Sequence, residues 1–162
     1  MLMPSWLPHK VSVDGQWERI LAMLYSIFVR DFIDSSPLFE GRTILFDDRI
    51  VDGQYEEGFW HLITKNDYNT GDRLLDPPRA ERLPWCAPTI KNSNDPAIKV
   101  WNYQEGSGRL RTYLWLDQLD YVVILEIRPQ RRGEVAFLFT AYHVDGASTR
   151  KKLQTKFLNR EH

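Results

Sequence analysis

Leu110-Arg111-Thr112-Tyr113-Leu114-Trp115-Leu116, followed four residues later by Tyr121-Val122-Val123-Ile124-Leu125-Glu126-Ile127, is the stretch that decides the fold. Both runs are dense in β-branched and aromatic residues and bounded by turn formers, which is the pattern of strands. Ile98 to Tyr103 precedes them and Val135 to Val144 follows, with Glu105-Gly106-Ser107-Gly108 and Arg132-Gly133 as links. Links this short favour antiparallel neighbours, so an antiparallel meander of about four strands is expected.

Upstream, Trp17, Ile20, Leu21, Leu24 and Phe28 recur at three- and four-residue intervals. That period predicts a helix from about Gly15 to Ile33, with Asp14 as N-cap and Ser35-Ser36-Pro37 as its stop. Thr43 to Phe46 and Phe59 to Thr64 read as short extended segments around an acidic, Gly-containing loop. Pro78 to Ile90 reads as a short helix or two, since Pro84 and Pro88 forbid one long regular helix. Asn92 to Pro96 is a loop. Ser148 is placed to cap a closing helix to about Asn159, with Leu153 and Phe157 on one face. The expected fold class is α+β: an N-terminal helix and short helices packed on the meander, then a closing C-terminal helix. Residues 1–162 form one expected domain, with 1–57 a helical and loop extension and 58–158 the core.

Length and composition agree with one globular unit. The chain has 162 residues, 43% hydrophobic and 27% charged, with 6 Trp, 7 Tyr and 8 Phe. A domain near that size buries roughly 70% of its unfolded surface. Its single cysteine, Cys86, cannot form an internal disulfide, and no Cys/His spacing suggests zinc, so a reducing cytoplasm is the expected location. The start, Met1 to Lys10, has no continuous apolar region, and no run approaches the ~20 apolar residues of a bilayer span. Neither export nor membrane insertion is expected. Net charge is only -1, yet Asp31 to Gly58 holds eight acidic and two basic residues, and Arg128 to Arg160 the reverse, eight basic and two acidic. Clustered Lys and Arg attract a polyanion or an acidic partner; an ordinary solvated surface explains them equally.

Several side chains carry possible chemistry, each with a plain structural alternative. Alternation puts Arg111, Tyr113 and Trp115 on one sheet face, a cationic and aromatic surface suited to RNA phosphates and unpaired bases, or else a half-buried face under a loop. Thr140 and Tyr142 share a face of the last strand, where their hydroxyls would meet phosphate oxygens or merely a cross-strand partner. His61 lies in an apolar run and titrates near neutrality, which makes it the first candidate for general acid or base; a core-edge histidine tied to a carbonyl is the alternative. Alternation places His143 opposite Thr140 and Tyr142, so it ranks below His61. Arg79 and Arg82, three apart, would project from one helical turn and clamp a phosphate, or stay solvated and pair with Glu81. Cys86 lacks a neighbouring base and reads as a small buried hydrophobe. No GxxxxGK, GxGxxG, GxSxG or HExxH motif occurs, so nucleotide-dependent, serine-hydrolase and zinc-protease chemistries are unattractive.

Four blocks occur in order: Gly58-Phe59-Trp60-His61-Leu62-Ile63-Thr64; Arg79-Ala80-Glu81-Arg82-Leu83-Pro84-Trp85; Tyr113-Leu114-Trp115-Leu116 with Tyr121-Val122-Val123-Ile124-Leu125; and Phe139-Thr140-Ala141-Tyr142. Together they resemble phage- and mobile-element-associated members of the nuclease superfamily that groups barnase, EndoU, ribonuclease colicins and RelE toxins. The resemblance covers about residues 58 to 158 and implies a metal-independent endoribonuclease toxin without a cofactor, in which the ribose 2′-hydroxyl attacks the adjacent phosphate to leave a 2′,3′-cyclic phosphate. It implies that His61 exchanges protons, that Arg79, Arg82 and Arg111 neutralise the transition state, and that Thr140 and Tyr142 orient the phosphate. No second histidine or glutamate completes a pair with His61, leaving Tyr142 or Lys65 for that role. Tyr113, Trp115, Lys65, Arg150, Lys151 and Lys152 are the expected RNA contacts. The implied partners are RNA, including tRNA or ribosome-associated RNA, and a cognate antitoxin or immunity protein.

Two other classes fit the same residues. A non-catalytic module binding RNA or an acidic protein needs only the aromatic and basic surfaces. An inhibitor of a host nucleic-acid enzyme would use the acidic stretch, including Asp47, Asp48, Glu56 and Glu57, to imitate phosphates.

Overall fold

The computed structural model describes residues 3–161. Helix α1, Trp17–Phe28, buries Ile20, Leu21, Leu24, Ile27 and Phe28, and runs on as a π-helical turn, Val29–Asp34, that turns Phe32 into the core. Its N-cap is Gln16 in extended conformation, not Asp14, and Trp17 at the helix start is 42% exposed, so the expected cap and the first residue of the apolar stripe are both corrected.

Two short strands follow, β1 (Leu38–Phe39) and β2 (Arg42–Leu45). Helix α2, Glu57–Ile63, comes next and replaces the extended segment expected at Phe59 to Thr64. A continuous apolar run has no period to separate a buried strand from a buried helical turn; here burial of Phe59, Trp60, Leu62 and Ile63 on several sides is met by the helix. A small hairpin, β3 (Thr64–Asn66) with β4 (Arg73–Leu75), leads into α3 (Pro77–Glu81) and α4 (Leu83–Lys91).

The remaining strands are β5 (Lys99–Gln104), β6 (Leu110–Leu116), β7 (Tyr121–Gln130) and β8 (Gly133–His143), and helix α5 spans Gly146–Leu158. The sheet is six-stranded and mixed, in the order β1-β2-β8-β7-β6-β5. The expected four-stranded antiparallel meander is thus corrected to a larger sheet: β2 joins β8 in parallel, Ile44 beside Ala136 and Leu45 beside Phe137. Pairing across some ninety residues of chain leaves no local signature. Asp145, not Ser148, occupies the N-cap of α5.

Two cores share the sheet. Helices α1 to α4 cover the face carrying Leu114, Leu116, Val123, Leu125, Ala136 and Leu138. Helix α5 covers part of the other, over Trp101, Tyr113, Trp115, Val122 and Ile124. In β8, Ile124 pairs with Thr140 and Leu125 with Leu138, so Phe139 is an extra residue that bulges the strand.

Candidate functional site

The site is built around α2. Tyr25 and Phe28 of α1 meet Phe59 at 5.2 and 5.5 Å between ring centres, and the Tyr25 hydroxyl donates to Glu56 at 2.8 Å. Gly58 permits the approach on the other side: its N–H donates to the Asp47 carbonyl at 2.8 Å, and a Cβ there would stand 3.0 Å from that of Phe46. With those contacts fixed, His61 is left half-buried on the outward side of the helix.

Neighbouring elements close a cleft of about 290 Å³ around it. The hairpin supplies Lys65, Asn66 and Arg73, α3 supplies Arg79, and the bulge of β8 supplies both Phe139 and Thr140. Arg79 Nη1 and Thr140 Oγ1 both donate to the main-chain carbonyl of His61, at 3.0 and 3.3 Å. Arg79 also lies 3.4 Å from Asp76 and 5.6 Å from the centre of the Tyr142 ring. Arg73 forks onto Glu57, at 2.8 and 3.1 Å, with its guanidinium over Trp60.

Burial pushes the His61 imidazole below its ordinary value of 6.5; Glu57 opposes that shift and Arg73 adds to it. The ring is therefore neutral at neutral pH and ready to accept a proton. Burial also lowers Arg79, with Asp76 opposing, but a guanidinium keeps its charge in a protein. Tyr142 is raised, chiefly by burial, so its phenol stays protonated. A neutral imidazole beside Lys65, Arg73 and Arg79 can bind a phosphate and move a proton next to it.

Of the residues expected from sequence, His61, Lys65, Arg79 and Thr140 come together here, with Tyr142 behind Arg79. Arg82 does not: it lies 5.3 Å over Trp85 and donates to the Pro78 carbonyl at 2.7 Å. The expected two-arginine clamp fails because α3 ends at Glu81, so the three-residue spacing crosses a helix break. Arg111 reaches the cleft only by stacking on Phe139, 3.7 Å from its ring centre.

The expected stacking rings are corrected too. Tyr113 and Trp115 are 2% and 0% exposed beneath α5, with Tyr113 bound to Glu105 and to Lys156. Arg150 turns inward, 2.7 Å from Asp120, over Trp115. Lys151 and Lys152 remain exposed on α5, away from the cleft. In the acidic stretch, Asp47 pairs with Arg49, Glu57 with Arg73, and Glu56 accepts from Tyr25, so three of its four named carboxylates already have internal partners.

Sequence reasoning missed Arg73 and Asn66, which sit in a polar turn-rich stretch without period; only their place on the hairpin brings them to His61. His143 opens on an adjoining cavity of about 250 Å³ that shares Lys65, and its Nδ1 is buried without a hydrogen-bond partner. Among the described residues, no group of three or more His, Cys, Asp or Glu side chains is arranged to hold a metal ion, and no helix is long and apolar enough to cross a membrane. No family model, curated protein or solved structure matches this chain.

Proposed function

We propose that the His61 cleft cleaves RNA, as a metal-independent endoribonuclease of the toxin type. The observation that carries the reading is a neutral imidazole set among Lys65, Arg73 and Arg79 in one cavity. His61 takes the proton of a ribose 2′-hydroxyl, whose oxygen bonds to phosphorus as the bond from phosphorus to the 5′-oxygen breaks. The leaving oxygen takes a proton from Lys65, and the products are a 2′,3′-cyclic phosphate and a 5′-hydroxyl. The three cations neutralise charge on the phosphate oxygens as it develops. A cognate antitoxin or immunity protein and a cytoplasmic site of action belong to the same proposal.

The test is cleavage of total RNA and tRNA by purified protein in excess EDTA, with product ends mapped and His61→Ala beside it. Cyclic phosphate ends that vanish with the variant support the reading; intact RNA from folded protein removes it.

A second reading, a phosphate-binding module without turnover, has its own observation. Arg79 and Thr140 hold the His61 carbonyl, which is a structural use of two residues expected to serve catalysis. RNA binding without cutting would favour it.

A further inference from the structure

Beyond Phe139 the sheet face that α5 leaves uncovered carries guanidinium groups laid on phenyl rings. Arg111 of β6 lies 3.7 Å from the centre of the Phe139 ring, and Arg128 of β7 lies 3.9 Å from that of Phe137. At such distances the planar guanidinium stacks flat, its other face turned away from the ring. Alternation puts Arg111 on the face of Tyr113 and Trp115, and Arg128 on that of Ile124 and Glu126, so this is the open continuation of the aromatic layer buried under α5.

Charge on this tract is unbalanced. Glu126 accepts from Arg109 at 2.8 Å and from Arg128 at 2.9 Å, one carboxylate between two guanidinium groups. Among the described residues Arg111 forms no ion pair, and its Nε is buried without a hydrogen-bond partner. The groups are also accessible: Phe139 is 40% exposed, and the Arg109 and Arg128 side chains 59% and 43%. Phe139 belongs to the cleft wall as well, so tract and cleft are continuous.

We propose that this arginine–phenylalanine tract binds unpaired nucleotides of an RNA strand whose reacting phosphate lies at His61, an inference that rests on the nuclease reading above. Flat cationic surfaces stack on base faces, which a duplex hides between its own pairs, and the excess positive charge follows the phosphates. The tract therefore selects single strands and sets which side of the cut is gripped.

The probe is a fluorescein-labelled 2′-O-methyl oligouridylate, which cannot undergo 2′-hydroxyl attack, compared by anisotropy with a duplex of equal length at fixed salt. Arg128→Gln and Phe137→Leu, both outside the cleft, are each expected to weaken single-strand binding about fivefold or more while duplex binding changes less. Arg128→Lys keeps charge without the plane and is expected to lose affinity too. Should Phe137→Leu unfold, Arg111→Gln and Arg128→Gln decide. Unchanged single-strand affinity, or equal losses for duplex, overturns the tract. Cleavage by the native chain with unchanged binding in the variants removes the tract alone; variant-sensitive binding without any cleavage removes the nuclease reading alone.

Discussion

The Arg79 guanidinium donates to the carbonyl oxygen of His61 at 3.0 Å, so α3 fixes the end of α2 through the main chain and leaves the imidazole free. Arg79→Ala removes that donor and leaves the Asp76 carboxylate without its nearby cation. A loss of about 1–3 kcal/mol is expected, read as a lower denaturation midpoint, and RNA cleavage falls with it. Arg79→Lys retains charge but not the fork, and is expected to recover stability only in part.

Proton acceptance by His61 predicts a pH profile. Because its folded value lies below 6.5, cleavage is expected to hold through neutral pH and decline only as acid reaches the lowered value. The same shift makes stability present above 6.5 and lost as pH falls through the folded value, since the unfolded chain binds the proton first. Rate profiles and thermal midpoints measured across that window, with His61→Ala as reference, check both. A profile unchanged in the variant removes His61 as base, and a loss of rate of about 100-fold or more is expected instead.

Gly58→Ala places a methyl group 3.0 Å from Phe46 Cβ and 3.2 Å from the Asp47 carbonyl. Overpacking of this kind costs about 1–3 kcal/mol. Because α2 must shift to relieve it, cleavage is expected to fall more than Tm alone accounts for; kinetics well below the melting range separate the two.

Cys86 is buried, and burial pushes its thiol up to about 12. In native protein it is expected not to react with a thiol reagent at neutral pH, and to react fully in denaturant. The contribution of this neutral thiol to stability is lost as pH rises from 9.0 through about 12.

Much of this was legible. The four C-terminal strands carry alternating or β-branched runs between turn formers, and Pro84 stands in the first turn of a short helix, although Pro88 lies inside that same helix. His61, Lys65, Arg79 and Thr140, whose side-chain chemistry singles them out in the sequence, converge in space. What stayed hidden depends on distant partners. The helical state of Phe59 to Ile63 follows from rings on α1, the parallel strand at Arg42–Leu45 from a pairing with Ala136 and Phe137, and the burial of Tyr113 and Trp115 from a helix whose own apolar content is little more than Leu153 and Phe157. Arg73 and Asn66 gave no signal because hairpin geometry alone recruits them.

The bulge at Phe139 changes the phase of β8. Leu138 and Ala141, an odd number of residues apart, both enter the larger core, whereas an unbroken strand would send them to opposite faces. The strand thus acts as two short segments in series, each with its own inward set. Deleting the extra residue would restore plain alternation, with Leu138 and Ala141 still facing inward and Thr140 outward, but would take the Phe139 ring out of the cleft wall. Straightening the strand with Phe139 kept would instead exchange the inner and outer side chains beyond it. The extra residue thus adds one ring to the cleft wall while both segments keep their inward sets.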